Sequence, residues 1–223
     1  MKMRTLDSKE TGRVFGLVAG EPGIGKTTQG TTFPKKETLI LSVEDGILSI
    51  SGSGYAVGEI DSYDDLLKTV QSPPKWVKYL YIDSLSEIYD VIKKELSDKF
   101  TRSQNYAKHE EMELKIIHLI REARKLSIDV FFTCHVKQVA DGLGISHDLA
   151  FDGKMPANLK KQFDLIVHMT TETEEDGKTK RIFITSPEKS MLAKARVSPW
   201  LNIKINDKEE ANLYGLTKKL KGE

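Results

Sequence analysis

The stretch "VAGEPGIGKTTQG", Val18 to Gly30, sets glycines, a lysine and hydroxyl residues at a spacing able to hold a polyphosphate. Its centre, "GEPGIGKT" from Gly20 to Thr27, fits G-x-x-x-x-G-K-[ST], with an apolar run before it and a helix start after it. Gly23 and Gly25 allow successive backbone N–H groups to converge on phosphate oxygens. Lys26 then reaches the β and γ phosphates, and the Thr27 hydroxyl offers the hard oxygen that magnesium takes. The candidate nucleotide contacts are Gly20, Glu21, Pro22, Gly23, Ile24, Gly25, Lys26, Thr27 and Thr28, with ATP and Mg2+ as the expected cofactors. A glycine-rich turn that only feeds a helix is the plainer alternative.

Phosphoryl chemistry needs more than a cradle. A carboxylate after a short apolar strand is the usual organiser of magnesium's water shell, and "KYLYIDS" offers Asp83, although a helix-capping aspartate would have the same placement. An attacking water needs a base or an orienting group. Ser84 follows Asp83 directly, so the nearest acid at another strand end is Glu44 in "LILSVEDG". "DVFFTCH" ends in His135, and "LAKARV" carries Lys194 and Arg196, two cations whose spacing puts them on one side of a strand. The plainer readings are a solvated turn for Glu44, a hydrogen-bonded strand end for His135 and a solvated face for the cation pair. His109, His118, His147 and His168 are read as ordinary histidines.

The elements that must position these residues are legible as alternation. The runs "RVFGLVA", "TLILSV", "YAVGEI", "KYLYID", "DVFFTC" and "FDLIVHM" read as strands separated by helical patterns, the signature of an α/β fold with a mainly parallel sheet. Two amphipathic helices are expected between the fourth and fifth runs. One has Leu85, Ile88, Ile92 and Leu96 on a stripe, the other Met112, Ile116, Leu119, Ile120 and Ala123. Ser84 and Glu87 form a capping-box pattern at the first of them. Asp176-Gly177 predicts a hairpin turn, so the C-terminal region over residues 170–205 is expected to be antiparallel. Pro73-Pro74 and Gly142 to Gly153 are loop candidates, the latter inside a long irregular stretch from Lys137 to Ala157.

The 223 residues, 39% of them hydrophobic, suffice for one core, so a single domain with a polar leader over residues 1–12 is expected. Charged residues make up 30% of the chain but nearly cancel to +1, so any basic site must be local. One cysteine, Cys134, permits no internal disulfide and gives no zinc spacing, which suits a reducing cytoplasm. The polar N-terminus lacks the apolar core of a signal peptide, and no run has the roughly 20 apolar residues of a membrane span. A soluble chain is expected.

Taken in order, "GEPGIGKTT", "LILSVEDG", "YLYIDS", "FFTCH" and "KAR" resemble the RecA-like P-loop ATPases across most of Val14 to Ile205. In those proteins the catalytic glutamate ends the strand beside the Walker B strand, the place of Glu44, and serine commonly follows the Walker B aspartate. AAA+ machines usually have a glutamate where this chain has Ser84. The resemblance implies that the strand carrying His135 lies between those of the phosphate loop and Asp83, with His135 a sensor facing the γ-phosphate. It also implies that Lys194 and Arg196 reach a neighbouring subunit's nucleotide.

The short first helix ending at "TTFPKK" is, more narrowly, similar to that of small phage P-loop proteins, among them the Sak-type recombinases related to RecA and RadA. That likeness implies a ring or filament acting on single-stranded DNA, a single-strand binding or annealing protein as partner, and a bacterial host cytoplasm. The residues themselves support DNA less. After His135, Lys137, Lys154, Lys160 and Lys161 are mixed with Asp141, Asp148 and Asp152, and Phe151 either stacks on a base or packs on its own domain. Asp176 to Arg196 is locally basic, and a bound nucleotide would use part of it.

A small-molecule kinase shares the loop, but "TRSQNYAKHEEMELK" is too mixed in charge for an arginine-rich lid. A GTPase would need N-K-x-D, which is missing. A nucleotide-gated partner protein with little hydrolysis stays open.

Overall fold

Short apolar runs rich in β-branched and aromatic residues become strands because such side chains pack well on a pleated surface. In the computed structural model, which describes residues 12–43, 45–100, 104–140, 145–187, 191–197 and 203–223, all six expected runs are strands. Phe15–Gly20 (β1), Thr38–Ser42 (β2), Ala56–Glu59 (β3), Tyr79–Asp83 (β4), Asp129–Ala140 (β5) and Leu165–Thr173 (β7) run parallel. With Thr179–Ile184 (β8) and Lys208–Glu210 (β10), the sheet order is β10-β8-β7-β1-β5-β4-β2-β3. β5 therefore lies between the phosphate-loop strand and the Asp83 strand, the order expected from the sequence.

β1 shows why both faces are covered. Phe15, Leu17 and Ala19 enter a core shared with Tyr63–Gln71 (α2), Leu85–Ser97 (α3), Asn105–Ala123 (α4) and Met155–Gln162 (α5). Val18 points to the other core with Val167, Met169, Phe183 and two leucines of Leu213–Lys221 (α6). The two expected helical stripes are buried throughout. Ser84 caps α3 by accepting from the Glu87 backbone N–H at 3.3 Å. No helix among the described residues is long and apolar enough to cross a membrane.

The C-terminal strands are antiparallel as expected: β7 pairs with β8 across the Asp176-Gly177 turn, and Lys194–Ala195 (β9) pairs with the start of β7. The stretch from Lys137 to Ala157, expected to be irregular, is a correction. β5 continues to Ala140 and pairs antiparallel with Ile145–Leu149 (β6), Gln138 opposite His147. Polar residues interrupt the apolar ones along this ribbon because much of it faces solvent, so no apolar run marks it. The leader lies almost wholly outside the described residues, as do 188–190 and 198–202 of the C-terminal region.

Candidate nucleotide site

The parallel strands end along one edge of the sheet, where Gly20 of β1 is in register with His135 of β5 and Met169 of β7. The chain turns there through Gly23 and Gly25, at φ of 75° and 103°. That left-handed backbone costs a residue with a Cβ roughly 1–2 kcal/mol, so glycine is the fitting choice. A four-residue helix follows, Lys26–Gln29 (α1), and then a 3-10 turn over Gly30–Thr32. Tyr81 of β4 supports this short piece from below: its hydroxyl donates to the Lys26 carbonyl at 2.5 Å. A Cβ on Gly30 would stand 2.9 Å from the Tyr81 ring.

Lys26 is 5% exposed. Its ammonium donates to the carbonyls of Gly20 at 3.1 Å and Glu21 at 3.0 Å, and lies 3.1 Å from His135 Nδ1. An ammonium can only donate, so Nδ1 accepts and the ring proton sits on Nε2. β5 runs on past His135, contrary to the expected strand end, yet register with Gly20 still brings His135 to the loop. The His135 backbone N–H donates to Ser86 Oγ at 3.0 Å.

Asp83 is 2% exposed and accepts a short hydrogen bond from the buried Thr133 hydroxyl. Its carboxylate and the Thr27 hydroxyl are hard oxygen donors, the class magnesium takes, so the residue types fit that ion. Ser42 is opposite Asp83 in register, and Val43 N–H donates to the Asp83 carbonyl at 2.8 Å. Glu44 is the next residue and lies outside the described ones. Thr28 serves the loop itself, donating from Oγ1 to the Gly25 carbonyl at 2.7 Å.

Flanking the loop, His147 Nε2 is 3.8 Å from Glu21 Oε1 and its ring packs edge-on to His168, 5.3 Å between centroids. Burial, with a smaller effect of His147, pushes His168 down to about 4. On the other flank, the Arg181 guanidinium lies 3.3 Å from where a Cβ on Gly25 would stand.

Lys194 and Arg196 are elsewhere. Asp164 N–H donates to the carbonyl of Phe15, the first residue of β1, and Arg196 N–H donates to the Asp164 carbonyl. The pair thus lies at the opposite edge of the sheet from Gly20. Lys194 caps α5, donating to the carbonyls of Lys160 at 2.8 Å and Phe163 at 2.6 Å, and burial lowers its pKa. Arg196 faces the Asp164 carboxylate at 3.1 Å, which also holds Arg124 through two bonds of 2.8 and 2.9 Å. The two cations therefore have separate partners.

The lysines expected to meet DNA are partly neutralised: Lys137 pairs with Asp152 and Lys160 with Asp148, while Lys178 pairs with Asp176 and Lys180 with Glu174. Phe151 is buried edge-on against Tyr89, so it packs and does not stack on a base. Arg181 entered the sequence reading only as one cation of the basic stretch Asp176 to Arg196, and Tyr81, Ser86 and Thr133 escaped it. Only Thr133 carried a visible signal, a hydroxyl inside an apolar run two residues before His135.

A family model described as an AAA domain matches residues 13–197. Among solved structures, a KaiC-like protein from the hyperthermophilic archaeon Pyrococcus horikoshii OT3 is similar at 14% identity, with 77% of this chain and 78% of that chain covered and a TM-score of 0.48. No curated protein matches the chain in sequence.

Proposed function

Since the chain belongs to the AAA domain family, we propose that it binds ATP with magnesium at the Gly20–Thr27 loop, hydrolyses it, and works as an assembly of copies on single-stranded DNA. The observation that carries the reading is the juxtaposition at one sheet edge of the buried Lys26, its His135 contact and the Asp83–Thr133 pair. A bound magnesium ion would supply neutralisation of phosphate charge. Thr27 and Asp83 would hold it. Lys26 exchanges its contacts to Gly20 and Glu21 for phosphate oxygens, and His135, already touching that ammonium, reports on the γ position. Glu44, two residues beyond the register partner of Asp83, orients the water.

Arg196 acts across a subunit interface in this reading, because it sits at the far edge from its own loop. Lys194 supports it by fixing α5. The short first helix ending at "TTFPKK", similar to that of Sak-type recombinases, supports single-stranded DNA. A second reading, a nucleotide-gated partner protein, is favoured by the internal pairing of Lys137, Lys160, Lys178 and Lys180.

The test is ATP turnover with and without single-stranded DNA, alongside mass measurement with a non-hydrolysable analogue. Turnover that rises with DNA in an assembled sample is expected, with binding that weakens as salt rises. Glu44→Gln should keep ATP affinity and lose at least about 100-fold in rate. An assembled protein that binds no DNA at low salt would instead favour the partner reading.

A further inference from the structure

Arg181 lies on β8 opposite Thr171 of β7, two residues before Phe183. Side chains alternate along a strand, so Arg181 shares the face on which Phe183 and Met169 pack toward α6. That face also carries α1. Past the end of the buried row the arginine reaches the phosphate loop, with Cζ and Nε each 3.3 Å from the Cβ position of Gly25.

Its neighbours on the hairpin are cations already matched to acids: Lys178 to Asp176, Lys180 to Glu174, and Lys208 to Glu172. Among the described residues the Arg181 guanidinium has no ion pair and makes no hydrogen bond, and it is exposed. A cation so placed beside a phosphate cradle is available for an anion. It also borders a cleft of about 800 Å³ lined by Gln29, Thr171, Glu210 and Ala211, within the size range of small-molecule sites. Lys26 occupies the other flank, with Gly20, Glu21 and His135.

We infer that Arg181 is a second phosphate ligand acting within its own subunit. It clamps the α-phosphate of a bound nucleoside di- or triphosphate at the mouth of the cleft that takes the ribose and base. The side of the loop decides the phosphate: Lys26 reaches β and γ, whereas the loop's backbone near Gly25 and Thr28 cradles the α and β end. A guanidinium can offer two parallel donors to phosphate oxygens. The inference rests on the proposed nucleotide binding and adds the residue that holds its nucleoside end.

Calorimetric titration with ATP and ADP, in magnesium, of the wild type, Arg181→Ala and Lys26→Ala tests it. Arg181→Ala should weaken ATP and ADP by the same factor, about 10- to 100-fold for a lost hydrogen bond to a charged group. The melting temperature without nucleotide should stay near wild type. Arg181→Lys, keeping the charge but not the fork, should recover part of the loss. Wild-type ADP affinity in Arg181→Ala, or a loss confined to ATP, overturns the inference if Lys26→Ala binds poorly in the same assay. Wild-type binding by Lys26→Ala would instead remove the nucleotide reading on which it depends.

Discussion

Replacing Thr133 by valine separates the architecture of the site from its chemistry. Thr133 and Asp83 are 0% and 2% exposed, so bulk water cannot replace the hydroxyl that donates to Asp83 Oδ1. Valine keeps nearly the same shape and removes only that donor. A hydrogen bond to a charged acceptor contributes about 1.5–3 kcal/mol. In a chain of 150–250 residues each kcal/mol moves the melting temperature by about 2–4 °C, so Thr133→Val should melt roughly 3–12 °C lower. Thermal unfolding without nucleotide reads this part. The second reading is the magnesium concentration giving half-maximal turnover at fixed ATP, which should rise several-fold because the carboxylate is less firmly placed. A wild-type melting temperature would mean that the Thr133–Asp83 bond contributes nothing to stability. A lowered melting temperature with an unchanged magnesium requirement would show that Asp83 does not organise the metal.

Arg196→Ala should bind ATP and turn over poorly, by on the order of a thousandfold for an arginine finger, while Lys26→Ala should lose the nucleotide. Mixing the two should restore some activity, and mixed assemblies that form yet stay inactive would leave Arg196 as the Asp164 partner only. His168, held down to about 4 against an ordinary 6.5, takes up its proton more readily in the unfolded chain. Its contribution is therefore full above pH 6.5 and lost as pH falls toward 4, about 3 kcal/mol in all. Chemical denaturation of wild type and His168→Gln across that window should show the difference, and equal slopes would refute it.

The residues legible without a structure were those whose role is set within a few neighbours. Gly23 and Gly25 declare a left-handed turn, Leu85 to Leu96 a helical stripe, Asp176-Gly177 a hairpin, and the β1 and β4 runs announce strands ending in Gly20 and Asp83. Each is a local backbone or periodicity rule, so adjacent residues suffice. The β5–β6 ribbon was missed because partial exposure removes the apolar run that betrays a strand. The contacts that make the site required the sheet order: Thr133 meets Asp83 from 50 residues away and His135 meets Lys26 from 109. The same order carried Lys194 and Arg196, alike in sequence to a phosphate-binding pair, to the far edge of the sheet, and brought Arg181 to Gly25. Charge and spacing are properties of a short segment, whereas the partner of a charge depends on which strands lie side by side, and only the packed sheet decides that.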